Sequence, residues 1–259
     1  MLHYQHFRHR TAWTRNDETG RFFHCLGPAR KSFDSLALSR YYEGMMESRF
    51  DDITAVILVG GKSRRMGMDK AFLEIDGVPM IERVLTVCRE AFDRVIMVGD
   101  RAERFAAYGL PIHGDIFPGS ALGGLYTGLL RAATPYVFAA ACDLPFPSGA
   151  VARHLASRRH GFDAVVPKSA DGFEPLFAVY ARRCLKSMRH FLEHGNYRIY
   201  DLYRELNVRY EPMEALECLA GDERALINVN TPEEFVRIGG KMELRQGGGL
   251  RSGAPTDCC

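Results

Sequence analysis

A loop rich in glycine and basic residues follows the first apolar run of the chain. Residues 60 to 67 read Gly-Gly-Lys-Ser-Arg-Arg-Met-Gly and come directly after the apolar segment from Ile53 to Val59. A glycine pair lets the backbone approach phosphate oxygens closely, so that successive N–H groups surround an anion while Arg65 and Lys70 add positive charge. The loop therefore indicates a site for a nucleoside triphosphate.

Two common phosphate-binding motifs do not match this loop. The P-loop requires a glycine five residues before its Gly-Lys-Ser, where this chain has Val56. The dinucleotide fingerprint requires a third glycine three residues after its second, and the chain has Arg64 there. Neither P-loop hydrolysis nor NAD binding fits the sequence.

Two polar residues follow other predicted strands, as the loop follows the first. Asp143 comes after the apolar run from Tyr136 to Ala141, and Asn230 after the run from Ala225 to Val229. Open α/β sheets bind ligands at the carboxyl ends of their strands, so these side chains are candidate ligand contacts. Structural roles are the alternatives to ligand binding. Asp143 could cap the end of its strand, and Asn230 could cap the following helix, a role for which Thr231 competes.

Short apolar runs alternate with helical patterns from Ile53 onward, which is typical of βα units and a mainly parallel sheet. We predict an α/β fold of three layers, a mainly parallel twisted sheet with helices on both faces. The predicted strands are 53–59, 95–98, 136–141, 163–167, 175–180 and 225–229. The predicted helices are one opened by Pro79, then 102–108, 122–132, 148–159, 181–194, and a last one capped by Thr231.

The chain resembles the molybdenum cofactor guanylyltransferases (MobA-type) in four segments that occur in the family's order. Residues 58 to 67, Leu-Val-Gly-Gly-Lys-Ser-Arg-Arg-Met-Gly, followed by Asp69-Lys70, are similar to the family's signature loop. The other segments are Cys-Asp-Leu-Pro-Phe at 142–146, Glu-Pro-Leu-Phe-Ala at 174–178, and Asn-Val-Asn-Thr-Pro-Glu-Glu at 228–234. The resemblance covers about 53–240 and implies a Rossmann-like nucleotidyltransferase fold.

The resemblance also implies roles for individual residues. It assigns nucleotide binding to Leu58, Val59, Gly60, Gly61, Lys70, Asp115 and Asp143. It assigns catalysis to Arg65, Lys70 and Asp143. It implies Mg²⁺ as the cofactor, held by Asp143 and Asn230, because Mg²⁺ takes one or two carboxylates together with substrate phosphates.

The implied reaction joins GTP to molybdopterin. The terminal phosphate of molybdopterin attacks the α-phosphorus of GTP, pyrophosphate leaves, and a guanine dinucleotide cofactor forms. Molybdoenzyme apoproteins or their chaperones are further expected partners, and Glu174-Pro175-Leu176 is expected on the molybdopterin side.

The chain departs from the family pattern in two places, and two other functions stay open. Val98-Gly99-Asp100 stands where the family often has an asparagine, and residues 120–124 read Ser-Ala-Leu-Gly-Gly instead of Gly-Pro-Leu-Ala-Gly. A sister nucleotidyltransferase that uses CTP or another phosphorylated acceptor is one alternative, although Gly60 favours guanine because the cytosine-using relatives typically carry alanine there. A silent nucleotide-binding carrier module is the other.

Composition limits the remaining possibilities. The formal net charge of +2 over 259 residues does not favour nucleic-acid binding, and no apolar run approaches the length of a membrane helix. We expect a cytoplasmic protein without nucleic-acid or membrane partners. Residues 1–50 are predicted to be a flexible extension, 51–245 the nucleotidyltransferase domain, and 246–259 a disordered tail.

Overall fold

The computed structural model describes residues 49–59, 70–100, 102–222, 224–227, 229 and 231–239. Most of the predicted extension, most of the signature loop and the predicted tail lie outside these ranges. The predicted site residues outside them are Gly60, Gly61, Arg65 and Asn230. The predicted domain boundaries and the roles of these four residues therefore stay predictions.

Nine strands lie in the described part of the chain. They are β1 (Phe50–Leu58), β2 (Glu74–Ile75), β3 (Val78–Pro79), β4 (Phe92–Val98), β5 (Ile112–His113), β6 (Tyr136–Ala141), β7 (Ala164–Lys168), β8 (Phe177–Ala181) and β9 (Val208–Pro212). Seven of them form one sheet in the order β5-β4-β1-β6-β8-β7-β9, and β2 pairs with β3. Only β8 runs antiparallel to its neighbours β6 and β7 in this sheet. The prediction of a mainly parallel sheet is confirmed.

Helices cover both faces of the sheet. The α-helices of the described residues are α1 (Met80–Ala91), α2 (Ala121–Arg131), α3 (Gly149–Ser157), α4 (Leu185–Glu193), α5 (Ile199–Leu202), α6 (Met213–Ala220) and α7 (Pro232–Arg237). Buried residues of α1, α3 and α6 pack with Ile53, Ala55 and Ile57 of β1 on one face. Those of α2, α4 and α5 pack with Val56 and Leu58 on the other face. Successive side chains of a strand point to opposite faces, so β1 contributes to both cores, and the three-layer prediction is confirmed.

The predicted strand at 225–229 is wrong. Residues 224–226 form a turn, and Leu226 has a φ of 68°, a left-handed conformation that interrupts any strand. Ala225, Leu226 and Val229 are nevertheless buried. Their apolar character therefore reflects packing of a connecting segment.

Three helix predictions need adjustment at their ends or in their type. The segment Ala102–Tyr108 is a 3-10 helix. The predicted helix at 181–194 begins with a 3-10 turn, Arg182–Cys184, before α4. Pro79 ends β3 and stands at the N-cap of α1, whose first residue is Met80.

The last helix has the predicted start. The Thr231 hydroxyl accepts a hydrogen bond from the Glu234 N–H at 3.1 Å, and the Glu234 carboxylate accepts one from the Thr231 N–H at 3.2 Å. This capping box satisfies two N–H groups that the helix leaves unpaired. Thr231 therefore supplies the cap for which Asn230 was an alternative.

Glycine allows α2 to lie directly on β1. A Cβ at Gly128 would stand 2.4 Å from Cγ1 of Val56. We expect Gly128→Ala to lower the free energy of unfolding by ~1–2 kcal/mol, because overpacking costs ~1–3 kcal/mol and alanine's helix propensity returns at most ~1 kcal/mol. Urea unfolding measures this change. The control Gly172→Ala has open space around its Cβ and should unfold like the wild type, whereas equal stability of both variants would contradict the close packing.

A second prediction concerns Glu211 on β9, which faces α3. Burial by itself would raise the pKa of Glu211, but hydrogen bonds from His154 and Arg209 outweigh it and lower the pKa to about 2. A carboxylate with a lowered pKa stabilises the fold above its unfolded pKa, and that contribution is lost as the pH falls through the folded value. Between pH 5.5 and 3 the wild type should therefore lose ~2 kcal/mol that Glu211→Gln does not lose.

Urea unfolding at the two pH values checks this prediction. Exposed Glu214 lies three residues further along the chain, so Glu214→Gln is the matched control and should keep the pH dependence of the wild type. Parallel stability curves for wild type and Glu211→Gln would contradict the assigned pKa.

Candidate nucleotide-binding and active site

The end of β1 lies between the ends of β4 and β6. Leu58 pairs with Val98 of β4 and with Ala141 of β6, and the Val59 N–H donates to the Val98 carbonyl at 2.8 Å. Since these strands are parallel, their carboxyl ends meet at one edge of the sheet. The predicted nucleotide contacts Leu58 and Val59 are therefore placed at the middle of this edge, where the signature loop begins.

Lys70 and Asp143 are brought together at the same edge. Lys70 opens a 3-10 helix, Lys70–Phe72, and its Nζ lies 3.7 Å from Oδ2 of Asp143. The same Nζ donates a 2.7 Å hydrogen bond to the Val229 carbonyl. The side chains of Lys70 and Asp143 are 13% and 29% exposed, so both are shielded from solvent yet reachable. Two predicted catalytic residues distant in sequence thus form one ion pair.

The environment of Asp143 favours further positive charge. Burial raises the pKa of this carboxyl group, and the Lys70 ammonium acts in the opposite direction without cancelling the effect. A partly desolvated carboxylate of this kind is stabilised by cations. Asp143 is accordingly suited to hold a metal ion.

The residues present fit Mg²⁺ as far as the described chain extends. No group of three or more metal-binding side chains occurs among the described residues. Mg²⁺ takes one or two carboxylates when substrate phosphates complete its coordination, and Asp143 supplies one. The second predicted ligand, Asn230, lies outside the described residues.

Asp115 is fixed by a small hydrogen-bond network after β5. Its Oδ1 accepts from the Phe117 N–H at 3.0 Å and from the Thr127 hydroxyl at 3.1 Å. Burial raises the pKa of Asp115, the two hydrogen bonds lower it, and the charge of Asp100 raises it again, with a raised value as the result. Asp100 stands at the position where the family often has asparagine.

Gly124 packs closely against both Asp115 and Leu58 at the end of β1. A Cβ at Gly124 would lie 3.2 Å from Cδ2 of Leu58 and 3.8 Å from Oδ2 of Asp115. Neither Gly124 nor Thr127 is among the predicted site residues. A buried threonine on an otherwise apolar and glycine-rich helix is the signal that could have identified this network.

The segment Glu174-Pro175-Leu176 lies on the side of β6 that faces away from β1. The Ala141 N–H donates to the Leu176 carbonyl at 2.8 Å, two residues before Asp143. The Glu174 N–H donates to the Pro167 carbonyl of β7 at 3.0 Å. The segment, which lies between β7 and β8 in the chain, is thus hydrogen-bonded to the ends of both β6 and β7.

The fold and the paired charges at its strand ends are those expected of an α/β nucleotidyltransferase. The chain belongs to the MobA-like NTP transferase domain family, whose model matches residues 55–210. The resemblance found in the sequence is therefore confirmed.

Curated relatives match over most of their lengths. The chain is 38% identical over 185 residues to the probable molybdenum cofactor guanylyltransferase of Pelotomaculum thermopropionicum, covering 71% of this chain and 90% of the relative. It is 35% identical over 188 residues to the molybdenum cofactor guanylyltransferase of Desulfosudis oleivorans, covering 71% and 93% respectively.

Solved structures share the fold. The molybdopterin-guanine dinucleotide biosynthesis protein A of Archaeoglobus fulgidus matches with a TM-score of 0.64 and 28% identity, over 72% of this chain and 96% of that one. A Mycobacterium tuberculosis protein solved with manganese matches with a TM-score of 0.56 and 20% identity, over 73% and 98% respectively. The second likeness shows the fold alone. No helix in the described residues is long and apolar enough to cross a membrane.

Proposed function

We propose that this nucleotidyltransferase transfers GMP from GTP to molybdopterin. The observation that carries the proposal is the Lys70–Asp143 pair, which stands at the strand ends beside the start of the signature loop. The relatives at 35–38% identity are named molybdenum cofactor guanylyltransferases, which supports the choice of substrates.

The reaction needs charge stabilisation and positioning more than covalent participation of the protein. A phosphate oxygen of molybdopterin attacks the α-phosphorus of GTP, and the bond from that phosphorus to the oxygen bridging it to the β-phosphate breaks. The electron pair leaves with pyrophosphate. Lys70 stabilises the negative charge that grows on this leaving group, and Arg65 is proposed to assist it.

Asp143 has the role of metal ligand in this proposal. Mg²⁺, when bound, would neutralise charge on the reacting phosphates. Asp143 would hold it together with Asn230, and Lys70 would then exchange part of its contact with Asp143 for phosphate oxygens. The hydrogen bond to the Val229 carbonyl would keep the Lys70 ammonium at the strand ends during that exchange.

In this proposal the nucleotide binds at the carboxyl ends of β1, β4 and β5. Leu58, Val59, Gly60 and Gly61 would contact GTP through their backbone groups, and Asp115 would accept a hydrogen bond from the nucleoside. The network from Phe117 and Thr127 keeps Asp115 in place before the nucleotide binds.

A cytidylyltransferase is the second candidate, because the chain departs from the family pattern at Asp100 and at residues 120–124, which bear on the choice of base, whereas Gly60 favours guanine. Purified protein is incubated with Mg²⁺ and molybdopterin, with GTP and CTP at equal concentration. We expect guanine dinucleotide product in excess. Product formed only from CTP would overturn the choice of guanine.

Delivery of the product to molybdoenzyme apoproteins or their chaperones, and a cytoplasmic location, remain part of this proposal. Both rest on the sequence and on the reaction assigned to the chain. A silent carrier module is disfavoured because Lys70 and Asp143 are both present and paired.

A further inference from the structure

Aromatic side chains form a partly exposed surface on the β7 and β9 side of the sheet edge. Phe173 lies at its centre, with ring centroids of Tyr200, Tyr203 and Tyr210 at 5.6, 5.5 and 5.0 Å. The Lys168 ammonium stands 5.6 Å from the centroid of Phe173 and 5.3 Å from that of Tyr210. We call these five residues the aromatic patch.

Two rings of the aromatic patch are open to solvent. Tyr200 is 52% exposed and Tyr210 is 39% exposed, whereas Tyr203 is buried. Lys168 is exposed as well, and among the described residues its ammonium has no carboxylate partner. The patch therefore presents flat aromatic surface beside an available positive charge.

The buried side of the aromatic patch is held rigidly. The Tyr180 hydroxyl donates to the Pro175 carbonyl at 2.8 Å and lies 2.7 Å from the Tyr203 hydroxyl. Because Tyr180 has one hydroxyl proton and gives it to Pro175, Tyr203 donates to Tyr180. Burial raises the pKa of both phenols, which keeps them protonated. These hydrogen bonds connect the patch to Pro175, in the segment between β7 and β8.

The aromatic patch and the predicted nucleotide contacts lie on opposite sides of β6. β8 is antiparallel to both β6 and β7, so β7 runs in the same direction as β6, and β9 is parallel to β7. Lys168, the last residue of β7, therefore lies at the same edge of the sheet as Ala141, the last residue of β6. Neighbouring strands are ~4.8 Å apart, so β7 lies ~10 Å from β6, whose end carries Asp143. Leu58 and Asp115 lie on the other side of β6. Asp143 thus lies between the predicted nucleotide contacts and the aromatic patch.

We infer that the aromatic patch is the subsite for the planar ring system of the acceptor. This inference rests on the proposed function, in which the acceptor is an anionic molecule with a fused heterocycle and a terminal phosphate. Tyr200 and Tyr210 stack against the heterocycle, since heteroaromatic rings bind aromatic side chains through their faces. Lys168 attracts the negative charge of the acceptor, and the phosphate reaches Asp143 across the short distance from β7 to β6.

Steady-state kinetics with two varied substrates test the inference. Molybdopterin is varied at saturating GTP, and GTP at saturating molybdopterin, for Tyr200→Ala, Tyr210→Thr and Lys168→Met. Each variant should raise the KM for molybdopterin about tenfold and leave the KM for GTP within about twofold, because only acceptor contacts are removed. Tyr210→Phe keeps the ring and should restore the wild-type KM.

Matched controls separate binding from general disturbance. Tyr197→Ala removes a tyrosine with the same 52% exposure as Tyr200, and Lys186→Met removes an exposed lysine of α4. Both should behave as the wild type. If the wild type forms product but the three patch variants keep its KM for molybdopterin, the inference is overturned and the proposed function stands. If the wild type forms no guanine dinucleotide, the proposed function fails and the inference with it.

Discussion

Asp143→Asn is expected to lower kcat for nucleotidyl transfer by at least ~100-fold, the range in which loss of one strong electrostatic contact to a transition state falls. The amide has the shape of the carboxylate without its charge, so it binds a divalent cation weakly. The pKa of Asp143 is raised in the folded protein, which means that burial costs the charged form more free energy than the contact with Lys70 returns. Activity should therefore be lost while stability is kept.

The measurement pairs initial rates at saturating GTP and molybdopterin with urea unfolding of the same samples. Asp93→Asn is the control, because Asp93 is an exposed carboxylate that pairs with Arg49 at the start of β4. The control should match the wild type in both measurements. Undiminished turnover of Asp143→Asn would remove Asp143 from the metal site and from the mechanism.

Lys70→Met is expected to lower kcat/KM for GTP by ~100- to 1,000-fold. The methionine keeps most of the side-chain volume but removes the charge that binds the triphosphate and stabilises the leaving pyrophosphate. Stability should fall as well, by ~1–3 kcal/mol, since the Val229 carbonyl loses a charged donor and Asp143 loses its counter-ion.

Lys70→Arg distinguishes charge from geometry. It keeps the positive charge but not the compact ammonium that fits the 2.7 Å contact with Val229, so it should regain only part of the lost kcat/KM. Lys186→Met serves as the control for loss of an exposed lysine. A kcat/KM for GTP in Lys70→Met equal to that of the wild type would show that the lysine does not contact the nucleotide.

Much of the sheet could be predicted because its central strands are buried on both faces. β1 and β6 read as apolar runs, and the helices between strands show clear apolar faces, as in α1. β9 could not be recognised in this way. Its Arg209 and Glu211 look like loop residues, and only their contacts with each other and with His154 make burial of the carboxylate possible.

The segment at 225–229 shows the opposite error. Its apolar residues satisfy a strand pattern, but they are buried against other elements while Leu226 adopts a left-handed backbone. Periodicity reports burial and does not distinguish a packed connection from a paired strand when the run is short.

Part of the site could also be predicted from strand ends. Asp143 and the loop that ends at Lys70 are expected at one edge because parallel strands share a direction, and the Lys70 Nζ lies 3.7 Å from Oδ2 of Asp143. The Val229 carbonyl that holds Lys70 and the Thr127 hydroxyl that holds Asp115 were not predicted. Such contacts depend on tertiary placement of a backbone group or a helix face, which local sequence does not encode.

The most direct test of the proposed function follows the α-phosphate of GTP. Purified protein is incubated with Mg²⁺, molybdopterin and GTP labelled in the α-phosphate, and the products are separated while pyrophosphate is measured. The proposed function predicts that the label enters a guanine dinucleotide of molybdopterin, with one pyrophosphate released for each product formed. Label that remains in GTP, or appears in GDP together with orthophosphate, would contradict nucleotidyl transfer to molybdopterin.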